Sequence, residues 1–361
     1  MLKVCIIGCG MIANSAHIPA YKSKSDVFEV VAVCDFSESA AQKTAKEHNI
    51  PAFYTDAKQM LQTEKPDVVS VCVPNMLHKE YVMLALEFGA NVLCEKPLAI
   101  SYKDAKEMFD FANAQGKLLM ACQSIRYLPE RLAAYDMVKN DKLGEVYYCF
   151  LSRIRRRGIP TWGKFHIKEY NGGGAMIDIG VHGIDSALWL MGNPKPVSVK
   201  AQMLKVHADE FGTAQSSGAL KGNVDTSGFN PEDMDVESFA SGNVSFENGA
   251  CLDFRVSWAA NIKEENNIVL SAQKCGVDLE NRKVYSGADK VEDLTVGFNG
   301  FKDEPFYGHF CLVENLAKVL LENCEPMVKP CETLNTIAII EAAYISADEN
   351  REVALKEIIN D

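Results

Sequence analysis

Asp178 and His182 stand four residues apart in the stretch Gly172–Asp185, Gly-Gly-Gly-Ala-Met-Ile-Asp-Ile-Gly-Val-His-Gly-Ile-Asp. If this segment is helical, the spacing puts a carboxylate and an imidazole on one face, close to the unpaired N–H groups of a helix start. Imidazole titrates near neutral pH and a carboxylate can orient it, so the pair is a candidate for proton transfer. A capping Asp beside a packed His reads equally well from the same residues. What separates the two readings is whether another part of the chain brings chemistry here. A second reactive group is offered by Glu95-Lys96-Pro97. Pro97 restricts Lys96 to extended backbone, and Glu95 could hold its ammonium in place. A lysine in such a position is otherwise a solvated charge.

Elements must position these groups, and the first third of the chain supplies a regular series. Lys3–Ile7 is a strand-like apolar run that leads into Gly8-Cys9-Gly10-Met11-Ile12-Ala13 and then a helical segment to about Tyr21. Gly8 permits the tight turn, Gly10 lets backbone N–H groups approach a pyrophosphate, and Ala13 is small enough for close helix packing. A second strand, Phe28–Cys34, ends in Asp35, 22 residues after Ala13, where an acidic residue would meet an adenosine ribose. Its carboxylate would repel a 2'-phosphate, and neither Phe36 nor Ser37 offers a compensating cation, so NAD is expected over NADP. Helices at 39–49, 56–62, 78–88 and 102–115 then alternate with strands at 67–73, 91–95 and 117–122. That order means parallel crossovers, with ligands bound beyond the carboxyl ends of the strands. Pro74-Asn75, Glu95-Lys96-Pro97 and Gln123 are the strand-end candidates.

Beyond a helix at 128–139 the period changes. Val146, Tyr148, Phe150 and Ile154 share one face of a strand that runs into Arg153, Arg155, Arg156 and Arg157. Those arginines read as an exposed strand end or as contacts to substrate and phosphate. Further strands at 197–206, 244–258, 268–272, 277–279 and 283–285 surround Asn248-Gly249, a strong hairpin signal. The fold class expected is therefore α/β, a doubly wound parallel sheet over 1–124, followed by an α+β domain over 125–361 with an open, mostly antiparallel sheet. One face of an open sheet must meet solvent or a subunit, so oligomerisation through it is expected. Residues 208–235 form a polar, period-free insertion of 28 residues. Helices at 306–321 and 332–350 close the chain.

Composition bounds the function. A chain of 361 residues, 47% hydrophobic and 24% charged, has a core to bury, and its formal net charge of −12 argues against sequence-independent nucleic-acid binding. No run reaches the roughly 18 apolar residues of a membrane span. Twelve cysteines occur singly, without a Cys-x-x-Cys pair, and six of them, Cys5, Cys9, Cys34, Cys72, Cys94 and Cys122, lie in or beside apolar strand-like runs, so they read as small buried hydrophobes in a reducing cytoplasm.

The ordered set Gly8-x-Gly10-x-x-Ala13, Asp35, Val73-Pro74-Asn75 with His78, Glu95-Lys96-Pro97, and Gly172-Gly173-Gly174 with Asp178, Gly180, His182 and Asp185 resembles the glucose-fructose oxidoreductase, inositol dehydrogenase and MocA family of NAD(P)-dependent oxidoreductases. The resemblance spans nearly the whole chain. It implies a dinucleotide held by Gly8, Gly10, Met11, Ile12, Ala13, Asp35, Pro74, Asn75, His78, Glu95, Lys96 and Gln123. It further implies that Lys96, Asp178 and His182 meet across the nicotinamide, that Lys96-Pro97 is cis, and that homodimers or homotetramers form through the open sheet. The implied substrate is a small polyhydroxylated molecule, a sugar, cyclitol or glycoside, bound by Lys96, Arg156, Trp162, Asp178, His182 and Tyr307. For Trp162 and Tyr307 simple packing is the competing reading. Asp178, His182 and Asp185 could ligate a metal, but Lys96 nearby would oppose a cation and a dinucleotide supplies the redox chemistry, so none is expected. Oxidation of a ring hydroxyl is the leading activity. Glycoside cleavage through transient oxidation and elimination, and a non-catalytic NAD sensor, are the alternatives.

Overall fold

A computed structural model describes residues 1–205, 229–295 and 305–359. Residues 208–228 of the expected insertion lie outside them; Pro231–Asp233, near its end, form a short 3-10 turn. Two compact units result: Met1–Tyr127 with Lys302–Thr333, and Leu128–Phe301 with Leu334–Asp361.

The first unit is built on six parallel strands, β1 Leu2–Ile7, β2 Phe28–Cys34, β3 Ala52–Tyr54, β4 Val68–Val71, β5 Asn91–Cys94 and β6 Leu119–Ala121, in the order β3-β2-β1-β4-β5-β6. Strands covered on both faces read as unbroken apolar runs, and every residue of β4 is buried. The strand order reverses at β1 and β4, so the crevice beyond their carboxyl ends is the natural ligand position. Crossover helices start on side-chain caps: Ser37 accepts from Ala40 N–H, Asp56 from Gln59 N–H and Ser101 from Asp104 N–H. The helix expected to follow the glycine turn is instead a π-helical turn, Ala13–His17, continued by an α-helical turn, Ile18–Lys22. Helix Tyr307–Glu322 belongs to this unit. A Cβ at Gly308 would collide with the Ser124 carbonyl, Tyr127 Oη donates to Asn315 Oδ1 at 2.9 Å, and fully buried Arg126 pairs with Glu332.

The second unit carries nine strands, β7 Val146–Ile154, β8 Pro196–Leu204, β9 Phe239–Phe246, β10 Cys251–Ser257, β11 Glu265–Ala272, β12 Gly276–Asp278, β13 Lys283–Ser286, β14 Lys290–Asp293 and β15 Val353–Ala354. Their order is β14-β13-β12-β11-β7-β10-β9-β8-β15, antiparallel throughout except for the β7–β10 pair. Asn248-Gly249 makes the β9–β10 turn, with Gly249 at φ 84°. Helix Val181–Leu190 covers the face of β7 that presents Leu151, approaching so closely that a Cβ at Gly183 would fall 2.7 Å from its side chain. Tyr148 and Phe150 lie on the opposite face, which is polar and half-exposed: Tyr148 Oη donates to Asp253, Asn243 also donates to Asp253, and the Arg255 guanidinium lies over the Phe150 ring. Of the face that Val146, Tyr148, Phe150 and Ile154 share, the two ends are buried and only the aromatic middle is half-exposed.

Candidate active site

Gly8 ends β1 at φ 96°, and a Cβ there would strike the Cys72 carbonyl at the end of β4. Only glycine lets these neighbouring strand ends meet. Gly10 differs: nothing lies within 4 Å of a Cβ built on it, and it is exposed. Space is left above a backbone that Asn14 braces by donating to the carbonyls of Cys9 at 2.8 Å and Gly10 at 2.9 Å. Asn14 was not singled out from sequence, because its role depends on how the turn curls back. At the end of β2, Asp35 accepts the Cys9 N–H through Oδ2 at 2.8 Å and the Ser37 N–H through Oδ1 at 2.9 Å. Its carboxylate is therefore aimed at the glycine turn, while Phe36 points outward, 93% exposed. Met11 and Ile12 are half-buried beside the turn, and Ala13 is fully buried beneath it.

Further along the strand ends, the Lys96-Pro97 peptide is cis. His78, fully buried, lies with Nδ1 2.7 Å from the Pro97 carbonyl and Nε2 3.1 Å from the Val73 carbonyl. It ties the Lys96-Pro97 turn to the end of β4, and both its ring nitrogens are spent on backbone. Burial pulls its pKa down, against the two carbonyls that favour the charged ring. Pro74 is exposed and Asn75 half-buried at the start of the 3-10 turn Asn75–Leu77. Glu95 is buried, accepts the Lys96 N–H at 3.2 Å, and lies 2.8 Å from His17 Nε2 and 3.5 Å from His309 Nε2. Burial alone would raise its carboxyl, but the two histidines hold it well below the usual range. Gln123, buried after β6, has an Oε1 with no hydrogen-bond partner. The open space at Gly10, the aimed carboxylate of Asp35 and this unpartnered oxygen at the carboxyl edge of the sheet fit a dinucleotide.

In the second unit, the glycine triplet serves packing. A Cβ at Gly174 would collide with the Glu237 carbonyl, and one at Gly173 with the Tyr344 hydroxyl. Glu237, buried, accepts N–H bonds from Gly174 and Met176 at 2.9 Å each and the Tyr344 hydroxyl at 2.9 Å, while burial raises its pKa. This buried carboxylate fixes the start of the segment that carries Asp178. That start is again a π-helical turn, Met176–Gly180, and α-helix begins only at Val181. Asp178 and His182 therefore straddle a π-to-α junction, the kind of irregularity that recurs at functional sites. Asp178 Oδ2 accepts from Trp258 Nε1 at 3.0 Å and lies 3.9 Å from Arg155 Nη1. Arg153 passes along Gly183 and feels Asp178; burial first, then Arg131 and Arg155, lower it to about 9, still cationic at neutral pH. Trp258 and Glu237 were not assigned from sequence, since they reach the motif through sheet pairing and not through spacing; of the arginine run, Arg155 lies near Asp178 and Arg153 along Gly183, while Arg156 is the exposed one. Arg156 is exposed and its backbone N–H donates to Glu264, Trp162 packs edge-on to Phe165 at 6.4 Å, and Tyr307 opens its helix in the first unit.

Residues 2–122 match the GFO/IDH/MocA oxidoreductase family, described as an NAD-binding Rossmann fold, and residues 132–277 match its C-terminal domain. The D-glucoside 3-dehydrogenase of Escherichia coli (strain K12) is 37% identical over 287 residues, covering 79% of each chain. The chain belongs to this family. A scyllo-inositol 2-dehydrogenase (NADP(+)) of Bacillus subtilis is 32% identical over 224 residues, 59% of this chain and 65% of the relative. The fold is shared with the aldose-aldose oxidoreductase of Caulobacter crescentus (TM-score 0.78, 21% identity, 98% and 99% of the two chains). It is also shared with an Agrobacterium radiobacter oxidoreductase in complex with NAD+ (TM-score 0.77, 21% identity, 99% of each chain). As a member of the GFO/IDH/MocA family, the protein is an NAD(P)-dependent oxidoreductase, and among its described residues no helix is long and apolar enough to cross a membrane.

Proposed function

We propose that the protein oxidises a secondary ring hydroxyl of a glycoside with NAD, the hydroxyl at position 3 of a glucoside being the first candidate. The observation that carries this reading is the intact set of reactive groups, Lys96 on its cis-proline turn and Asp178 with His182 on their braced junction, in a chain 37% identical to a D-glucoside 3-dehydrogenase. The bound nicotinamide supplies the hydride acceptor. His182 takes the hydroxyl proton on a ring nitrogen, and the Lys96 ammonium stabilises negative charge on the oxygen as that proton leaves. Asp178, fixed by Trp258 and Arg155, orients the substrate or the imidazole. Gly10, Asp35, Pro74, Asn75 and Gln123 hold the dinucleotide, with Asp35 on the ribose favouring NAD over NADP. His78 and Glu95 act by holding the Lys96-Pro97 turn. The half-exposed face of the second sheet is proposed as the contact of a homo-oligomer, to be checked by light scattering on the eluting protein.

The test is the absorbance of reduced nicotinamide with NAD or NADP and a panel of methyl glycosides, free sugars and inositols. Growth with NAD on glucosides, absent with the 3-epimer, is expected; growth on inositols alone would reassign the substrate. A second reading, transient oxidation followed by elimination with the cofactor regenerated, suits a reaction without net redox change, and one relative from Mediterraneibacter gnavus is named a 2,7-anhydro-N-acetylneuraminate hydratase, 30% identical over 211 residues, 57% of this chain and 54% of the relative. It predicts altered glycoside by mass analysis without accumulating NADH.

A further inference from the structure

His17, Glu95, Cys122 and His309 come from four separate elements of the first unit: the π-turn, the residue after β5, the residue after β6, and helix Tyr307–Glu322. All four are buried, and one donor atom from each lies within 4.8 Å of the others. His17 Nε2 is 2.8 Å and His309 Nε2 3.5 Å from the same Glu95 Oε1, and Cys122 Sγ is 3.9 Å from His17 Nε2. Hydrogen bonding explains only part of this convergence. A proton on His17 Nε2 can point at Glu95 or at Cys122 but not at both, and two imidazoles crowd one carboxylate oxygen. With bonds of about 2.0 Å to nitrogen and oxygen and about 2.3 Å to the one sulfur, a tetrahedral zinc ion holds these donors roughly 3.3 to 3.5 Å apart. The 3.5 Å separation already fits that range, while the 2.8 Å one is shorter and the 3.9 Å one longer, so small side-chain adjustments would close the set around an ion.

We propose that His17, Glu95, Cys122 and His309 form a closed, four-ligand site for a divalent transition-metal ion, zinc being the best match to two imidazoles, a thiolate and a carboxylate. Charge balances: thiolate and carboxylate together offset the two positive charges, and the thiol proton leaves to solvent as the ion binds. The outer shell is in place. His17 Nδ1 lies 3.2 Å from Ser70 Oγ, which lies 2.8 Å from Tyr21 Oη, so with Nε2 on the metal the Nδ1–H donates to Ser70 and fixes the ring. Four protein donors leave no open position, so the ion is structural. It staples helix Tyr307–Glu322, which arrives from far along the chain, to the ends of β5 and β6. This assignment stands apart from the proposed dehydrogenase reaction and does not need it.

The experiment is elemental analysis of the full chain, purified without a histidine tag or chelator from zinc-supplemented culture. Roughly one zinc per chain is expected, with a lower melting temperature after chelator dialysis that added zinc restores. Cys122→Ser and His309→Ala should each lose most of the bound zinc. Because either change can disturb a buried site, a second measurement uses the unaltered protein. Cobalt(II) exchanged for zinc should give the intense visible bands of a tetrahedral centre together with a thiolate-to-cobalt charge-transfer band. Protein that is metal-free as isolated and takes up no zinc on equilibrium dialysis would overturn the proposal, as would a cobalt spectrum without the thiolate band.

Discussion

The two glycine motifs of this chain look alike on paper and do opposite things. In the first unit a Cβ on Gly10 would meet nothing within 4 Å, whereas in the second a Cβ on Gly174 would run into the Glu237 carbonyl. One glycine keeps room for something outside the chain, and the other lets two parts of the chain close. Gly8 belongs with Gly174 in this respect, since the Cys72 carbonyl fills its space. A glycine-rich stretch is thus a statement about close approach, and only the surroundings say whether the approaching group is protein or ligand.

Substitutions sharpen the contrast, beginning with the largest expected effect. Gly174→Ala must push apart two backbones and should cost about 3 kcal/mol or more, seen as a lower urea midpoint. Glu237→Ala leaves the N–H groups of Gly174 and Met176 unpaired in a buried place, a loss of roughly 2 to 4 kcal/mol by the same measurement. Gly10→Ala should leave the unfolding midpoint unchanged and weaken NAD about tenfold, about 1.4 kcal/mol, by fluorescence titration. If Gly10→Ala unfolded the protein and spared NAD binding, the contrast between the motifs would be wrong. The smallest effect concerns pH. His78 has its folded pKa pulled below the ordinary value of 6.5, so its contribution is present above that pH and is lost as pH falls through the folded value. Unfolding free energy should therefore fall as pH drops below about 6.5, and His78→Gln should flatten that fall.

Much of the first sheet was legible because strands buried on both faces leave unbroken apolar runs, and the β1-to-turn step carries its own glycine signature. β3 and β15, three and two residues long, are too short to leave such a run. The π-turns at Ala13–His17 and Met176–Gly180 are not legible in the sequence, since a 3.6-residue pattern does not register one wider turn. On β7 the aromatic residues gave a face but not its direction: Tyr148 and Phe150 look outward over Asp253 and Arg255. Lys96, Asp178 and His182 could be picked out because their types are reactive. Trp258 and Glu237, which hold Asp178 and its turn, are ordinary in sequence and acquire meaning only through strand register, and Arg155 stands out in sequence as part of a basic run without its partner Asp178 being legible. His309 was missed for the same reason, its element returning from far along the chain to reach Glu95.

The central claim is that Lys96 and His182 act in the chemical step and not in holding the dinucleotide. Lys96→Ala and His182→Ala should be assayed beside the unaltered protein, with NAD affinity by titration and turnover by reduced-nicotinamide absorbance on the best glycoside of the panel. The account predicts NAD affinity within about threefold and turnover lowered about 10²-fold or more in each variant. Turnover near that of the unaltered protein in both would contradict it.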